Sequence, residues 1–314
     1  MSEKSITIIL NSWRKTTQKQ YEVHIKKFIN FCSEKKFNVL KPSVNNTIEF
    51  LTNLHEKGLG YSSLNSARSA LSALYSVLGV KEFGSHPLIC RFLKGIFELT
   101  PSVPRYKETW DVSLVLNFFK TQKGNEFLSL YDVTQKLCAL MLLATAHRLQ
   151  TIHSIRLSCI HFYDGYVEIE IIDKVKNSKP DIHNSVLKFE KFNKEPKLCV
   201  VKTLIEYLTR TSKLRNNEDK LFLCHKKPFQ AASKDTISRW IKDLMDKVGI
   251  NTTTYKPHSF RMAASSAKIK EGMPLEKLLK LAGWASASTF QKFYHRKCTI
   301  GQPSQSLISD FLNI

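Results

Sequence analysis

Apolar residues recur at three- and four-residue steps through most of the first hundred positions. Over residues 17–35, Tyr21, Ile25, Phe28 and Cys32 fall on one helical face, while Lys19, Lys26, Lys27 and Lys35 occupy the others, which predicts an amphipathic helix with a basic exterior. The same spacing returns over 62–78 with Leu64, Ala67, Leu71, Leu74, Tyr75 and Leu78, preceded by serines and followed by Gly79 as a stop. Near Pro101 and Pro104 the helical pattern breaks, so an extended connector and a boundary between domains 1–104 and 105–314 are expected there. Beyond it, residues 133–146 carry Leu137, Leu140, Met141 and Ala144 at helical spacing. The period then changes to two: Val167, Ile169 and Ile171 alternate with Glu168 and Glu170 as in a half-buried strand, with 186–190 as its antiparallel partner. The segment between them, Asp173-Lys174-Val175-Lys176-Asn177-Ser178-Lys179-Pro180, reads as a lysine-rich hairpin loop. Helical patterns resume at about residue 197. The fold class expected is mainly α with a small antiparallel β-sheet, a helical amino-terminal domain preceding a mixed carboxy-terminal one.

Charge narrows the possible partners. Among 314 residues, 48 Lys and Arg stand against 27 Asp and Glu, a net charge of +21. The surplus is shared, with 14 basic against 7 acidic residues in 1–104 and 34 against 20 in 105–314. A polyanion is the expected partner, nucleic acid before an acidic membrane surface, held between two basic domains rather than by one basic tail. The chain has 42% hydrophobic residues, enough for a core in each domain, and its 11 glycines include no phosphate-binding glycine loop; Gly58-Leu59-Gly60 comes nearest. Nucleotide-driven chemistry and a small-molecule substrate are therefore not expected. The seven cysteines are odd in number and without C-x-x-C, which argues against a disulfide framework or a zinc site and for a reducing, intracellular setting. Cys159, His161 and His153 lack a fourth residue at zinc-like spacing. The most apolar stretch, 137–146, is too short to cross a bilayer.

The candidate chemistry lies near the end of the chain. His258 and Arg261, three apart, project to one side of a helix and can meet one phosphate together. Alone this H-x-x-R pattern carries little weight, since His153 and Arg156 repeat it. Its sequel is more informative. Gly272 and Pro274 open a new helix whose stripe is Leu275, Leu278, Leu279 and Ala282; Gly283 closes it, and Trp284 follows at once. Ser288 with Gln291 resembles a capping box for a further helix bearing Phe290, Phe293 and Tyr294. Singly, Trp284 and Tyr294 read as core residues; their order and spacing change the weighing.

In this order the chain resembles the tyrosine recombinase (phage-integrase-like) family, whose pattern runs arginine, lysine, H-x-x-R, a small-residue–Gly–His/Trp step and a tyrosine. Here Arg148, Lys176, His258, Arg261, Trp284 and Tyr294 stand in that sequence. Pro257-His258-Ser259-Phe260-Arg261, then Ala282-Gly283-Trp284 up to Phe293-Tyr294, looks like the eukaryotic mobile-element branch, DIRS-like and Crypton-like. There are departures: Thr145-Ala146-His147-Arg148 replaces Thr-Gly-x-Arg, Thr151 replaces an acidic residue three beyond the arginine, and Trp284 to Tyr294 spans ten positions rather than nine. The resemblance implies a SAM-like helical core-binding domain in 1–104 and a tyrosine-recombinase catalytic domain in 105–314. It also implies a site-specific recombinase or integrase that breaks and rejoins double-stranded DNA through a 3′-phosphotyrosine on Tyr294, as a homotetramer on DNA, with no cofactor, metal or ATP. Arg148 and Arg261 would clamp the phosphate, Trp284 would add an N–H donor, His258 would take the tyrosine proton, and Lys176 would protonate the leaving oxygen, although Lys174 and Lys179 share its loop. A nuclear location follows from the same branch. Two other readings are a transposon-derived DNA-binding chain without turnover and a type IB topoisomerase-like enzyme. The tail ending Ser306-Leu307-Ile308-Ser309-Asp310-Phe311-Leu312 is amphipathic and suits docking either on a neighbouring protomer or on its own domain.

Overall fold

The computed structural model describes residues 2–41, 43–101, 105–173, 186–284, 287–294, 296–298 and 310–312, with the backbone alone at Thr289, Lys292, Phe293, Lys297 and Cys298. The chain divides into two units, Met1–Pro104 and Arg105–Ile314. Of the connector anticipated around Pro101 and Pro104, residues 102–104 lie outside the described residues.

The first unit is helical: α1 Glu3–Leu10, α2 Lys15–Lys35, α3 Val44–Glu56, α4 Tyr61–Val77 and α5 Pro87–Leu99. Ser43 caps α3 by accepting the Asn46 N–H at 3.2 Å, and Pro87 opens α5, where its missing N–H costs nothing. The α2 stripe differs from the sequence reading. Phe28 and Cys32 are buried as expected, but His24 and Phe31 join them while Tyr21 and Ile25 are only half-buried. Aromatic packing accounts for the difference, since Phe31 lies 5.5 Å from Phe50 and 6.1 Å from Phe37, ring to ring. Helix α4 buries Leu64, Ala67, Ala70, Leu71 and Tyr75; it ends before Leu78, which is exposed, and Gly79 then takes a left-handed φ of 84°.

The second unit is built on a helix whose every side chain from Val133 to Thr145 is buried, which explains its near-continuous apolar run. In chain order this unit begins with β1 Glu108–Thr109, α6 Ser113–Thr121, the buried helix α7 Leu130–Thr145 and α8 Leu149–Ser154. Three antiparallel strands follow, β2 Ile160–Tyr163, β3 Tyr166–Glu170 and β4 Val186–Glu190. The β3–β4 register places Val167 opposite Phe189 and Ile169 opposite Leu187 on the buried face, and Glu168 opposite Lys188 on the other. Strand β2 escapes the sequence pattern because none of its four residues is fully buried, so no apolar alternation marks it. Of the predicted loop between β3 and β4, residues 174–180, with Lys174, Lys176 and Lys179, lie outside the described residues; its first residue, Asp173, is held by Arg156 at 2.9 Å and Lys220 at 2.5 Å.

The helices α9 Val200–Thr211, α10 Lys234–Lys247, α11 Ser259–Lys270, α12 Leu275–Ala282 and α13 Ala287–Phe293 complete the unit, and β5 Lys297–Cys298 pairs in parallel with β1. Helices α9, α10 and α11 surround α7. Of the tail anticipated from the sequence, only residues 310–312 are described, and they pack on their own unit: Phe311 and Leu312 are buried in its core, Phe311 stands 6.0 Å from Phe192, and Asp310 pairs with Lys194 at 2.7 Å. The buried Lys268 ammonium donates to the Leu312 carbonyl, and burial first of all lowers its pKa to about 7. Among the described residues no helix is long and apolar enough to cross a membrane, and no group of three or more His, Cys, Asp or Glu converges as metal ligands would.

Candidate active site

The site is assembled where the ends of α7, α11, α12 and α13 meet. Helix α7 stops because Ala146 adopts a left-handed φ of 51°, a conformation that favours glycine and costs an alanine about 1 kcal/mol or more. The departure at this position therefore leaves the backbone turn intact. The Thr145 hydroxyl accepts the His147 N–H at 3.2 Å, and the chain re-enters a helix with Arg148 at the cap of α8, half-exposed.

Arg261, in the first turn of α11, is 1% exposed. Its Nη1 donates to the carbonyls of Ala146 at 2.8 Å and Ala282 at 3.0 Å, so it ties the end of α7 to the end of α12. Its Nε and Nη2 are buried and, among the described residues, have no hydrogen-bond partner. These two atoms form the side-on edge of a guanidinium, the edge that meets two oxygens of a phosphate or carboxylate in parallel. The ring of Trp284 packs on the same guanidinium, 4.0 Å from its carbon, and the Trp284 Nε1 is likewise buried without a partner. Each such orphan costs about 1–3 kcal/mol, more when charged. Burial, then the Arg148 charge, lowers the Arg261 pKa to about 9, with the Tyr294 hydroxyl opposing both. An anion placed here would satisfy the orphaned donors and relieve the repulsion between the two arginines.

Gly283 takes φ 64° and ends α12, and the Trp284 N–H reaches back to the Leu279 carbonyl at 2.9 Å, which fixes the indole after the turn. Helix α13 begins at Ala287, so Ser288 lies inside it and is not the cap anticipated from the Ser288–Gln291 pair; the position ahead of the helix is outside the described residues. The Phe290 side chain is buried against Trp284 at 5.1 Å. Tyr294 closes the helix, its N–H donating to the Phe290 carbonyl at 2.8 Å. Its ring lies 5.1 Å from Trp284 and 5.5 Å from the Arg261 carbon, and its hydroxyl is 3.2 Å from His258 Nε2. His258 sits at the cap of α11, exposed.

The structure thus gathers Arg261, Trp284, Tyr294 and His258 into direct contact, with Arg148 close enough to repel Arg261; Lys176 falls outside the described residues. Sequence reasoning passed over His147. It is buried beneath the site, and a Cβ on Gly283 would stand 3.3 Å from its Cε1. Burial first, then the charges of Arg261 and Arg148, lowers its pKa to about 4 against an opposing backbone hydrogen bond at Leu281. The folded protein holds this ring neutral between about pH 4 and the ordinary 6.5, where the unfolded chain binds a proton, so stability is lost as pH falls through that window. Thermal melts of the wild type should therefore fall more steeply from pH 6.5 to 4.5 than those of His147→Gln, by up to about 3 kcal/mol in stability. Parallel curves would remove His147 as the cause.

Residues 115–299 match the phage integrase family, and residues 8–81 match the phage integrase N-terminal SAM-like domain. The chain belongs to the phage integrase family. Its fold is that of the tyrosine recombinases, a SAM-like helical domain followed by the mainly helical catalytic domain with its small antiparallel sheet. Comparison with curated protein sequences gives no significant match. Among solved structures, it is similar to the XerH site-specific recombinase bound to palindromic difH substrate in a post-cleavage complex, with 17% identity, 88% of this chain and 76% of that one covered, and a TM-score of 0.63. It is also similar to a lambda integrase tetramer bound to a Holliday junction (12% identity, 93% and 75% covered, TM-score 0.56). The Tn1549 transposon integrase in complex with circular intermediate DNA gives 16% identity, 87% and 85% coverage and a TM-score of 0.51.

Proposed function

We propose that the chain is a site-specific DNA recombinase that breaks and rejoins double-stranded DNA through a phosphotyrosine on Tyr294. The observation that carries this reading is the set of orphaned donors, Arg261 Nε and Nη2 with Trp284 Nε1, next to a tyrosine whose hydroxyl meets a histidine. The Tyr294 oxygen attacks the scissile phosphorus and passes its proton to His258. Negative charge gathers on the non-bridging oxygens, where Arg148, the free edge of Arg261 and the indole N–H stabilise it. The bond from phosphorus to the 5′-oxygen breaks, and a lysine of the loop, Lys176, gives that oxygen a proton. The 3′-phosphotyrosine keeps the bond energy, so rejoining to another 5′-hydroxyl needs no ATP. Side chains supply the charge stabilisation, and the reaction proceeds with chelator present.

In this reading residues 1–104 are a core-binding domain and 105–314 the catalytic domain, and their shared basic charge holds DNA. Assembly as a tetramer on DNA is supported by the lambda integrase likeness, and the eukaryotic mobile-element branch by the run from Pro257 to Tyr294. The sequence of filled positions favours turnover over a chain that only binds. The test is incubation with a nicked duplex from which the short product strand diffuses away, in EDTA, followed by a denaturing gel. A protein–DNA adduct at the 3′ side of the break is expected; its absence on duplexes drawn from the ends of the chain's own element overturns the reading.

A further inference from the structure

The segment that opens the second unit touches both arms of the His258–Tyr294 pair. On one side, the Tyr106 hydroxyl accepts the Lys256 N–H at 3.3 Å, and the Tyr106 ring packs on Tyr255 at 5.5 Å. Trp110 donates from Nε1 to the Ser259 hydroxyl at 2.9 Å and packs on Phe260 at 4.8 Å. These contacts grip the turn carrying His258 from three residues before it to two after. On the other side, the Tyr106 carbonyl accepts Arg296 Nε at 2.9 Å. The Arg296 N–H donates to the Ser266 hydroxyl at 3.2 Å, and that hydroxyl donates to the Tyr294 carbonyl at 2.8 Å. One position further, β1 and β5 pair with Glu108 beside Lys297. The short strand β5 and Arg296 thus moor the chain just past the tyrosine to the same stretch, Tyr106 to Trp110, that holds the histidine.

We propose that Arg296 and Tyr106 are positioning residues that set the distance between His258 and Tyr294, and so the nucleophile's alignment. This rests on Tyr294 being the nucleophile. Neither touches the tyrosine oxygen; both act on the backbone at either end of the pair. The arrangement is sensitive because a nucleophile held in line gains its rate from orientation, and displacement by about 1 Å costs on the order of 100-fold. Arg296→Met keeps the aliphatic stem and removes the bond to the Tyr106 carbonyl, whereas Arg296→Lys retains a donor able to reach it. Tyr106→Phe removes only the 3.3 Å bond to Lys256.

The experiment measures adduct formation in single turnover with saturating protein on the nicked duplex, across pH, for the wild type, these three variants and Tyr294→Phe. For Arg296→Met the saturated rate should fall about 10- to 100-fold, with the half-saturating protein concentration within about twofold of wild type and the pH of half-maximal rate moved to the alkaline side. Proton transfer from Tyr294 to a displaced His258 would then depend more on hydroxide. Arg296→Lys should recover most of the loss, and Tyr106→Phe should slow the reaction by a few-fold with the same alkaline shift. A wild-type saturated rate and pH profile in Arg296→Met, or a loss confined to DNA affinity, overturns the positioning role while leaving the Tyr294 reading in place. A uniform fall at every pH that Arg296→Lys does not recover also overturns it. An adduct persisting in Tyr294→Phe, or none in wild type, overturns both.

Discussion

A Tyr294→Phe protein is expected to keep the fold and the DNA affinity of the wild type and to form no covalent adduct. The substitution deletes one oxygen, which lies 3.2 Å from His258 Nε2 on the exposed side of the site and also acts electrostatically on Arg261. The contacts that place the residue are independent of that oxygen: the N–H to the Phe290 carbonyl, the carbonyl taken by Ser266, and the ring against Trp284 and Arg261. Stability should therefore stay within about 0.5 kcal/mol of wild type, read as an unchanged melt. The chemical loss is complete because a phenyl ring has no nucleophile. Phosphate-stabilising groups remain, so any residual breakage would come from water and leave free ends instead of protein-linked DNA. A denaturing gel separates these outcomes. Adduct at wild-type yield in Tyr294→Phe would mean that another side chain attacks, and an unfolded variant, seen in the melt, would contradict the contacts above.

How much of this was legible in the sequence depends on what each residue's signal rests on. The helices α2, α4, α7 and α12 and the β3–β4 pair declare themselves because a buried face leaves a period in the chain. Strands β1 and β5 do not, since two residues cannot show a period and their pairing joins positions almost two hundred apart. The Ser288–Gln291 pattern misled because a capping signature fixes a helix start only when the chain ahead of it is non-helical, and α13 begins one residue earlier. At the site, Arg261, Trp284 and Tyr294 stand out by order and spacing, whereas the contacts among them leave no mark in the sequence. The spacing gives Arg261 and His258 one helical side, yet the structure buries the first to carbonyls of two other helix ends and leaves the second in solvent. Tyr106, Ser266 and Arg296 gave no signal at all, because they act through hydrogen bonds to backbone groups distant in sequence, which leave no pattern in the chain.

Arg261→Met should slow adduct formation by about 10³-fold or more, and Arg261→Lys by about 10²-fold although it keeps the charge. The reason is the division of labour on one guanidinium. Nη1 is committed to the Ala146 and Ala282 carbonyls, which fixes the plane of the group and leaves the Nε–Nη2 edge unpaired. Removing one preorganised donor to a transition-state oxyanion costs on the order of 10²–10³ in rate, and this edge supplies two with a positive charge. An ammonium has no rigid fork, so it cannot hold both carbonyls and still present two parallel donors. With Arg261 1% exposed and the Tyr294 ring 5.5 Å from its carbon, a phosphate reaches that edge only as covering side chains shift, so the loss should appear in the saturated rate more than in DNA affinity. Because Nη1 also joins α7 to α12, the melt of each variant must accompany its rate. Arg148→Met provides the check free of that bond: Arg148 is half-exposed at the start of α8, and its loss should cost about 10²-fold with little change in melting. The two arginines serve the same oxygens, so the double variant should be much less impaired than the product of the single effects. Arg261→Lys within about threefold of wild type would show that charge alone suffices and that the free guanidinium edge is not the phosphate clamp.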